Sequence, residues 1–342
     1  MDGCGQAISM DQFSAHLDRG WDLVQRGDTR GAEASARRAL ELDPNSPEAY
    51  NLLGYAAALE GDSLEAIQSY KQAFALDDTY MEAMLNAAEL YVHPLGEFDE
   101  AIRLCEQALA LAETDEETIE TLLLMFDAML GKGDVEGARA VVARLPDGPY
   151  ENANHSFLVG RAWYELGDLE RALPMLDEAA RRDPTQSEHW YYLGLIRDES
   201  GNARGATEAF LRARELDLSE PMLPWSLGRE QFAALVKKAI TSLAPPLRKF
   251  VSEAEVYVSE APGIELVADG VDPRALILLD GLASIENPGP PCGRVFMYQR
   301  NIERVVGCPD RLDEGLLEAL GREIEATFMD KPGDGPGRKS MN

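Results

Sequence analysis

The chain has 342 residues, enough for two domains or for one long repeat array with an appendage. Hydrophobic residues make up 45% and charged residues 27%, which is ample material for an ordinary core. The formal net charge of -29 is unevenly spread: residues 221–342 carry 14 Lys+Arg against 18 Asp+Glu, whereas the first 220 carry 18 against 43. A surface this acidic repels phosphate backbones and anionic headgroups, so nucleic acid and membranes are excluded as expected partners and basic protein segments are favoured.

The first ten residues, MDGCGQAISM, carry neither a cationic n-region nor an apolar h-region. No stretch approaches the roughly 18 uncharged apolar residues of a membrane span, and a cytoplasmic chain is expected. Cys4, Cys105, Cys292 and Cys308 are scattered without a C-x-x-C pair, as in a reduced chain with no disulfide or metal role for them.

A period close to 34 residues dominates residues 13–220. Taking Pro44 as the end of one unit places Gly20, Gly27, Ala32 and Ala39 in phase with Gly54, Gly61, Ala66 and Ala73 of the next. A third unit holds Ala88, Ala101 and Ala108 and is one residue longer around Pro94. The fourth diverges, with Phe126, Gly133 and Ala138, and ends at Leu145-Pro146. The fifth has Gly160, Trp163, Gly167, Ala172, Ala179 and Pro184, and the sixth Trp190, Gly194, Gly201, Ala206, Phe210 and Ala213. Small residues let paired helices approach closely, and the named aromatics fill the gaps between pairs. Gly27, Gly61, Gly133, Gly167 and Gly201 stand where a helix must end in a left-handed turn, each followed by Asp or Asn suited to capping the next helix.

This pattern resembles the tetratricopeptide (TPR) repeat, and implies an α-solenoid of about six helix pairs. In that family the second, fifth, ninth and twelfth positions of each repeat line a concave groove. Here those positions hold Glu48, Asn51, Tyr55, Glu82, Glu89, Glu120, Asp127, Asn154, Phe157, Arg161, Tyr164, Glu188, Tyr191 and Asp198. Acids mixed with aromatics suit a basic extended segment or helix. The Lys and Arg that would clamp an acidic chaperone tail are almost absent. The four histidines all fall in the array, no two of them at ligand spacing, so no metal is expected there.

After Pro221 and Pro224 the period stops. Residues 229–243 have helical apolar spacing, and a further helical turn follows Pro245-Pro246. Glu255–Ser259 and Arg294–Tyr298 read as strands, and residues 275–279 form an apolar run. Residues 311–328 form an amphipathic helix with Leu312, Leu316, Leu320, Ile324 and Phe328 in one row. The FAALVKKAITSLAPPLRKF, EVYVSEAPG and GRVFMYQRNIERV segments and the closing helix, in that order, resemble the minimal matrix-metalloprotease-like zincin family over residues 225–330. The resemblance implies a small α+β zincin-like domain whose closing helix would carry H-E-x-x-H, two zinc-holding histidines with a glutamate base between them. Here the matching positions are Arg322, Glu323 and Ala326, and no histidine follows residue 220. Guanidinium does not ligate zinc, so a catalytically inactive pseudo-peptidase without cofactor is expected. The tail at 331–342 is Gly/Pro-rich and is expected to be disordered.

The function expected from these readings is a scaffold or regulator. Its acidic groove would bind a basic partner, and the inactive domain would offer a second docking surface. The alternative is a metal-dependent peptidase with an atypical site, against which Glu323 and Glu325 lie about 200° apart around a helix. No phosphate-binding loop is present, since GKGDVEG near residue 131 lacks the G-K-[ST] ending.

Overall fold

The computed structural model describes residues 3–283 and 289–329, with side chains from residue 12 onward. The tail at 331–342 lies outside the described residues. The chain resolves into two compact units that divide between Glu178 and Ala179.

The first unit is helical throughout its regular elements: α1 (Gly3–Gln25), α2 (Thr29–Leu42), α3 (Pro47–Glu60), α4 (Ser63–Leu76), α5 (Met81–Val92), α6 (Phe98–Leu109), α7 (Asp115–Lys132), α8 (Val135–Val142), α9 (Ala153–Glu165) and α10 (Leu169–Arg182), which runs across the division. Each helix from α1 to α7 packs against its successor. The odd-numbered helices also pack against one another in the order α1, α3, α5, α7, α9, and so build one continuous layer.

Local chemistry sets the turns of this stack. Gly61 ends α3 at φ +85, a left-handed conformation that a side chain would strain, and Gly27, Gly133 and Gly167 do the same at the equivalent turns. The following acid then caps the next helix: Asp28, Asp62, Asp134 and Asp168 accept from the backbone N–H of Gly31, Glu65, Gly137 and Arg171 at 2.8–3.1 Å. Gly54 shows why small residues recur inside helices. A Cβ there would stand 2.6 Å from the ring of Tyr70, which is itself only 2% exposed. Ala32, Ala39, Ala66, Ala73, Ala101, Ala108 and Ala138 are all fully buried at the facing positions. The divergent fourth repeat has a short second helix, the eight-residue α8.

The second unit opens with one more helix pair, α11 (Ser187–Glu199) and α12 (Ala203–Ser219), with Gly201 left-handed and Asn202 capping α12. Then come α13 (Arg229–Ser242), α14 (Pro245–Val251), β1 (Glu255–Ser259), α15 (Ile264–Ala268), β2 (Ile277–Asp280), β3 (Arg294–Tyr298), α16 (Gln299–Val306) and α17 (Leu312–Phe328). The strand order is β1-β3-β2. β1 runs parallel to β3, pairing Val256 with Val295, and β2 runs antiparallel, pairing Leu278 with Phe296. The expected amphipathic row of α17 forms the core with the sheet and α13: Leu316, Leu320, Ile324, Phe232, Val236, Val295 and Met297 are each 0% exposed. Phe328 closes the row by stacking on Phe250, ring centroids 4.5 Å apart. The strand expected from the run at 275–279 starts at Ile277, because Ala275 still belongs to a turn in which its N–H reaches Asp272 O at 3.0 Å.

Candidate functional site

The groove positions of the first unit lie on α3, α5, α7 and α9, the helices that form its continuous layer, and several of them pair with one another. Asn51 is fully buried: its amide donates to Glu82 Oε1 at 3.0 Å, and its oxygen accepts from Asn86 at 3.1 Å. Tyr55 meets Trp21 edge-on at 5.5 Å. Arg161 Nη2 spans both Asp127 oxygens at 3.0 and 3.2 Å. Burial pushes the Asp127 carboxyl up from its ordinary value, with Arg161 acting against the shift. Phe157 is 6% exposed and packs into the core. Asn51 and Phe157 therefore present no surface to a partner, and Asp127 is already matched by a cation. Tyr164 is half-buried, while Glu48, Glu82, Glu89, Glu120 and Asn154 are exposed. The exposed part of the expected set in this unit is thus dominated by four glutamates.

In the second unit two groove positions hold an arginine of the same chain. Arg274 stands in a turn between α15 and β2 and is built into place by its neighbours. Asp272 Oδ1 accepts the Arg274 backbone N–H at 2.7 Å, and Asn301 Nδ2 donates to the carbonyls of Pro273 and Ala275 at 3.0 and 2.8 Å. The guanidinium lies over the Tyr191 ring at 4.2 Å, reaches Glu188 at 2.6 Å and donates to Ser187 Oγ at 3.2 Å. Its Nε and Nη2 donate to the two oxygens of Asp217 at 3.0 and 3.2 Å, and Arg304 adds a third contact at 3.0 Å. Tyr191 donates its hydroxyl to Asp272 at 3.0 Å; burial, then the Asp272 charge, raise its pKa. Asp217 is 6% exposed, and burial alone would raise its carboxyl. The hydrogen bonds and charge of Arg274, with further help from Ser187 and Arg304, hold it below the usual range instead. Asp198, the last groove position, is exposed.

Asp217, Arg274 and Asn301 were not singled out by sequence. The one local signal was an acid, Asp217, between Leu216 and Leu218 near the end of α12, since a carboxylate buried there requires a cation. Nothing local names that cation, which stands 57 residues further on.

The positions aligned by sequence with H-E-x-x-H, Arg322, Glu323 and Ala326, lie on α17. Arg322 and Ala326 are exposed and Glu323 is half-buried. Arg322 approaches Glu318 at 4.0 Å, a loose pair with both side chains mostly in solvent. Among the described residues, the side chains that converge in a metal-competent group of three are elsewhere, Glu116 and Glu120 on α7 with His155 on α9. Spacing along the chain hid that group, because its histidine and its glutamates come from different repeats.

Tetratricopeptide repeat models match residues 17–80, 123–187 and 157–221, and a second such model matches 83–118. A TPR repeat-containing protein of Pseudomonas aeruginosa is 33% identical over 76 residues, which are 22% of this chain and 69% of that protein. Tetratricopeptide repeat protein 7A of Homo sapiens is 33% identical over 100 residues, 28% of this chain and 11% of its own length. Protein NPG1 of Arabidopsis thaliana is 38% identical over 73 residues, 20% of this chain and 10% of its own, so the chain spans only about a tenth of these two relatives. Among solved structures, PilF of Pseudomonas aeruginosa superposes at TM-score 0.52 and 18% identity, over 66% of this chain and 98% of that one. PilW, a type IV pilus biogenesis factor, does so at 0.52 and 18%, over 65% and 98%. At that identity the likeness concerns the fold alone. No helix among the described residues is long and apolar enough to cross a membrane. With repeat models covering more than half of its length and helix pairs in the matching phase, the chain belongs to the tetratricopeptide repeat family.

Proposed function

We propose that this protein is an interaction scaffold whose acidic helical layer holds a basic segment of a partner protein. The carrying observation is the capture of Arg274. Glutamate at the second position of the sixth repeat and tyrosine at the fifth, Glu188 and Tyr191, bind a guanidinium by charge and by ring stacking. Glu48 and Glu82 occupy the second position in earlier repeats and are exposed there, as is Glu89 on the same helix as Glu82. Arginine or lysine side chains of a partner are the complementary chemistry, and the net charge of -29 steers such a partner toward the surface. In the sixth repeat those positions are taken by the chain itself, so the partner surface is assigned to the earlier repeats.

The carboxy-terminal α+β domain is read, from the sequence resemblance, as a zincin-like domain without its metal ligands, and its proposed role is a second docking surface without catalysis. The sequence resemblance and the substituted positions on α17 support that reading. For the partner-binding half, the test is fluorescence anisotropy of a labelled peptide alternating arginine with leucine, against a glutamate–leucine control. Binding of the basic peptide should weaken strongly from 0.1 to 1 M salt, as the Debye length falls from about 10 to about 3 Å. Affinity equal for both peptides, or indifferent to salt, would place the interface elsewhere.

A further inference from the structure

A cluster that shares only Glu120 with the groove positions joins the fourth and fifth repeats. Glu116 and Glu120 lie one turn apart on the same face of α7, and His155 of α9 points between them. One ligand atom from each residue lies within 4.8 Å of the other two, and His155 Nε2 stands 4.0 Å from Glu120 Oε1. Two features of this arrangement have no ordinary structural explanation. The imidazole is only 6% exposed, yet it makes no hydrogen bond among the described residues, the Glu120 oxygen at 4.0 Å lying beyond hydrogen-bond reach. Among the described residues the two carboxylates have no lysine or arginine ion pair, although like charges four residues apart on a helix repel. The positive end of the α7 dipole accounts for acids in the first turn, which Glu116 joins with Asp115 and Glu117. It does not account for Glu120 a turn later, nor for a buried histidine aimed at the pair.

We infer that Glu116, Glu120 and His155 form a binding site for a divalent first-row transition-metal ion, of which zinc is the natural probe. One imidazole nitrogen and two carboxylate oxygens form a mixed donor set of intermediate softness, suited to zinc, cobalt or nickel rather than to magnesium or calcium, which favour oxygen alone. Zinc bonds of about 2.0–2.2 Å require ligand atoms roughly 3.4 Å apart. The carboxylates must therefore close by about 1 Å, which two exposed glutamate side chains achieve by torsion alone. Three protein ligands leave at least one coordination position for water or for a side chain of a partner. The bound ion would tie α7 to α9 across α8, the shortest helix of the first unit. This site is independent of the H-E-x-x-H-aligned positions on α17, which share no residue with it.

The test is isothermal titration of the full chain with zinc chloride, repeated with cobalt(II) followed by its visible absorption. Wild-type protein should bind one ion per chain and melt several degrees higher with zinc. Glu116→Gln with Glu120→Gln, both exposed and harmless to folding, should lower the affinity about tenfold or more, the loss seen even when only a supporting group around a ligand is removed. His155→Gln should do the same and shift the cobalt spectrum of any residual complex. Glu82→Gln with Glu89→Gln is the control for diffuse attraction to an acidic surface and should leave the stoichiometric ion in place. Wild-type protein that binds no zinc, affinity unchanged in the Glu116→Gln/Glu120→Gln variant, or an equal loss in the control variant would each overturn the assignment.

Discussion

The Arg274 guanidinium lies 4.2 Å from the centre of the Tyr191 ring while its Nε donates to Asp217 at 3.0 Å, so one side chain is held by stacking and by a buried charge together. Removing either partner of a buried, hydrogen-bonded pair leaves the other uncompensated, at a cost of about 3–5 kcal/mol. Arg274→Ala should fall near the lower end of that range, because Arg304 remains on Asp217. Arg274→Lys keeps the charge but loses the two-pronged donor set and most of the stacking, and should be intermediate. Urea unfolding of the second unit, followed by Trp190 and Trp225 fluorescence, measures both. Equal stability of all three proteins would show the cluster to be energetically idle.

The same cluster predicts a pH dependence of definite sign. The Asp217 carboxyl is held below its ordinary value in the fold: burial works the other way and is outweighed by Arg274, with Ser187 and Arg304 assisting. A carboxyl held low in this way contributes stability that is complete above its unfolded value, about 3.9, and is lost as the pH falls through the folded value. The stability gap between wild type and Asp217→Asn should therefore be constant from neutral pH down to about pH 5 and shrink below about pH 4. A gap that instead widens on acidification would mean that Asp217 is not the ionised member.

Close approach of α3 and α4 rests on Gly54, where a Cβ would stand 2.6 Å from the Tyr70 ring. Gly54→Trp should destabilise the first unit by about 1–3 kcal/mol or more through overpacking. Thermal melting of the variant reads the loss directly, and an unchanged midpoint would contradict the tight packing between these helices.

Thiol labelling separates the cysteines by burial. Cys105 is fully buried, and desolvation, with the Glu106 charge adding to it, pushes its thiol up to about 12, whereas Cys308 is partly exposed. In a Cys4→Ser background, Cys308→Ser should abolish the early phase of reaction with a disulfide reagent, and Cys105→Ser should leave that phase intact.

On α17, Arg322→Ala should change stability by no more than about 0.5 kcal/mol, because its pair with Glu318 is loose and solvated. Glu323→Gln should leave any zinc stoichiometry unaltered. Loss of a bound ion on that substitution would restore the peptidase reading and remove the pseudo-enzyme one.

The repeat was legible because its signals are local. A left-handed glycine and an acid that caps the helix three residues on are decided within one turn, and Gly61 with Asp62 shows both. The strands and the α17 row were legible for the same reason, since alternation and i, i+4 spacing are properties of single elements. What the groove positions touch was not legible. Asn51 meets Asn86, 35 residues away, and Asp127 meets Arg161, 34 away, so positions read as open to a partner are engaged by the neighbouring repeat. One repeat length separates each pair, which explains why the same periodicity that suggested a groove also brings its residues against one another. Arg274 and Asp217 follow no period at all, and only the packing of the turn before β2 on α12 joins them.

The most direct test of basic-segment recognition is charge reversal at Glu48, Glu82 and Glu89, exposed acids of α3 and α5 that no arginine or lysine matches among the described residues. Anisotropy of the labelled arginine–leucine and glutamate–leucine peptides should be measured side by side for wild type and for the Glu48→Lys/Glu82→Lys/Glu89→Lys variant. Wild type should prefer the basic peptide, and the variant should lose that preference by about tenfold or more, with the acidic peptide gaining. A preference for the basic peptide that survives the triple reversal unchanged would contradict recognition by this face.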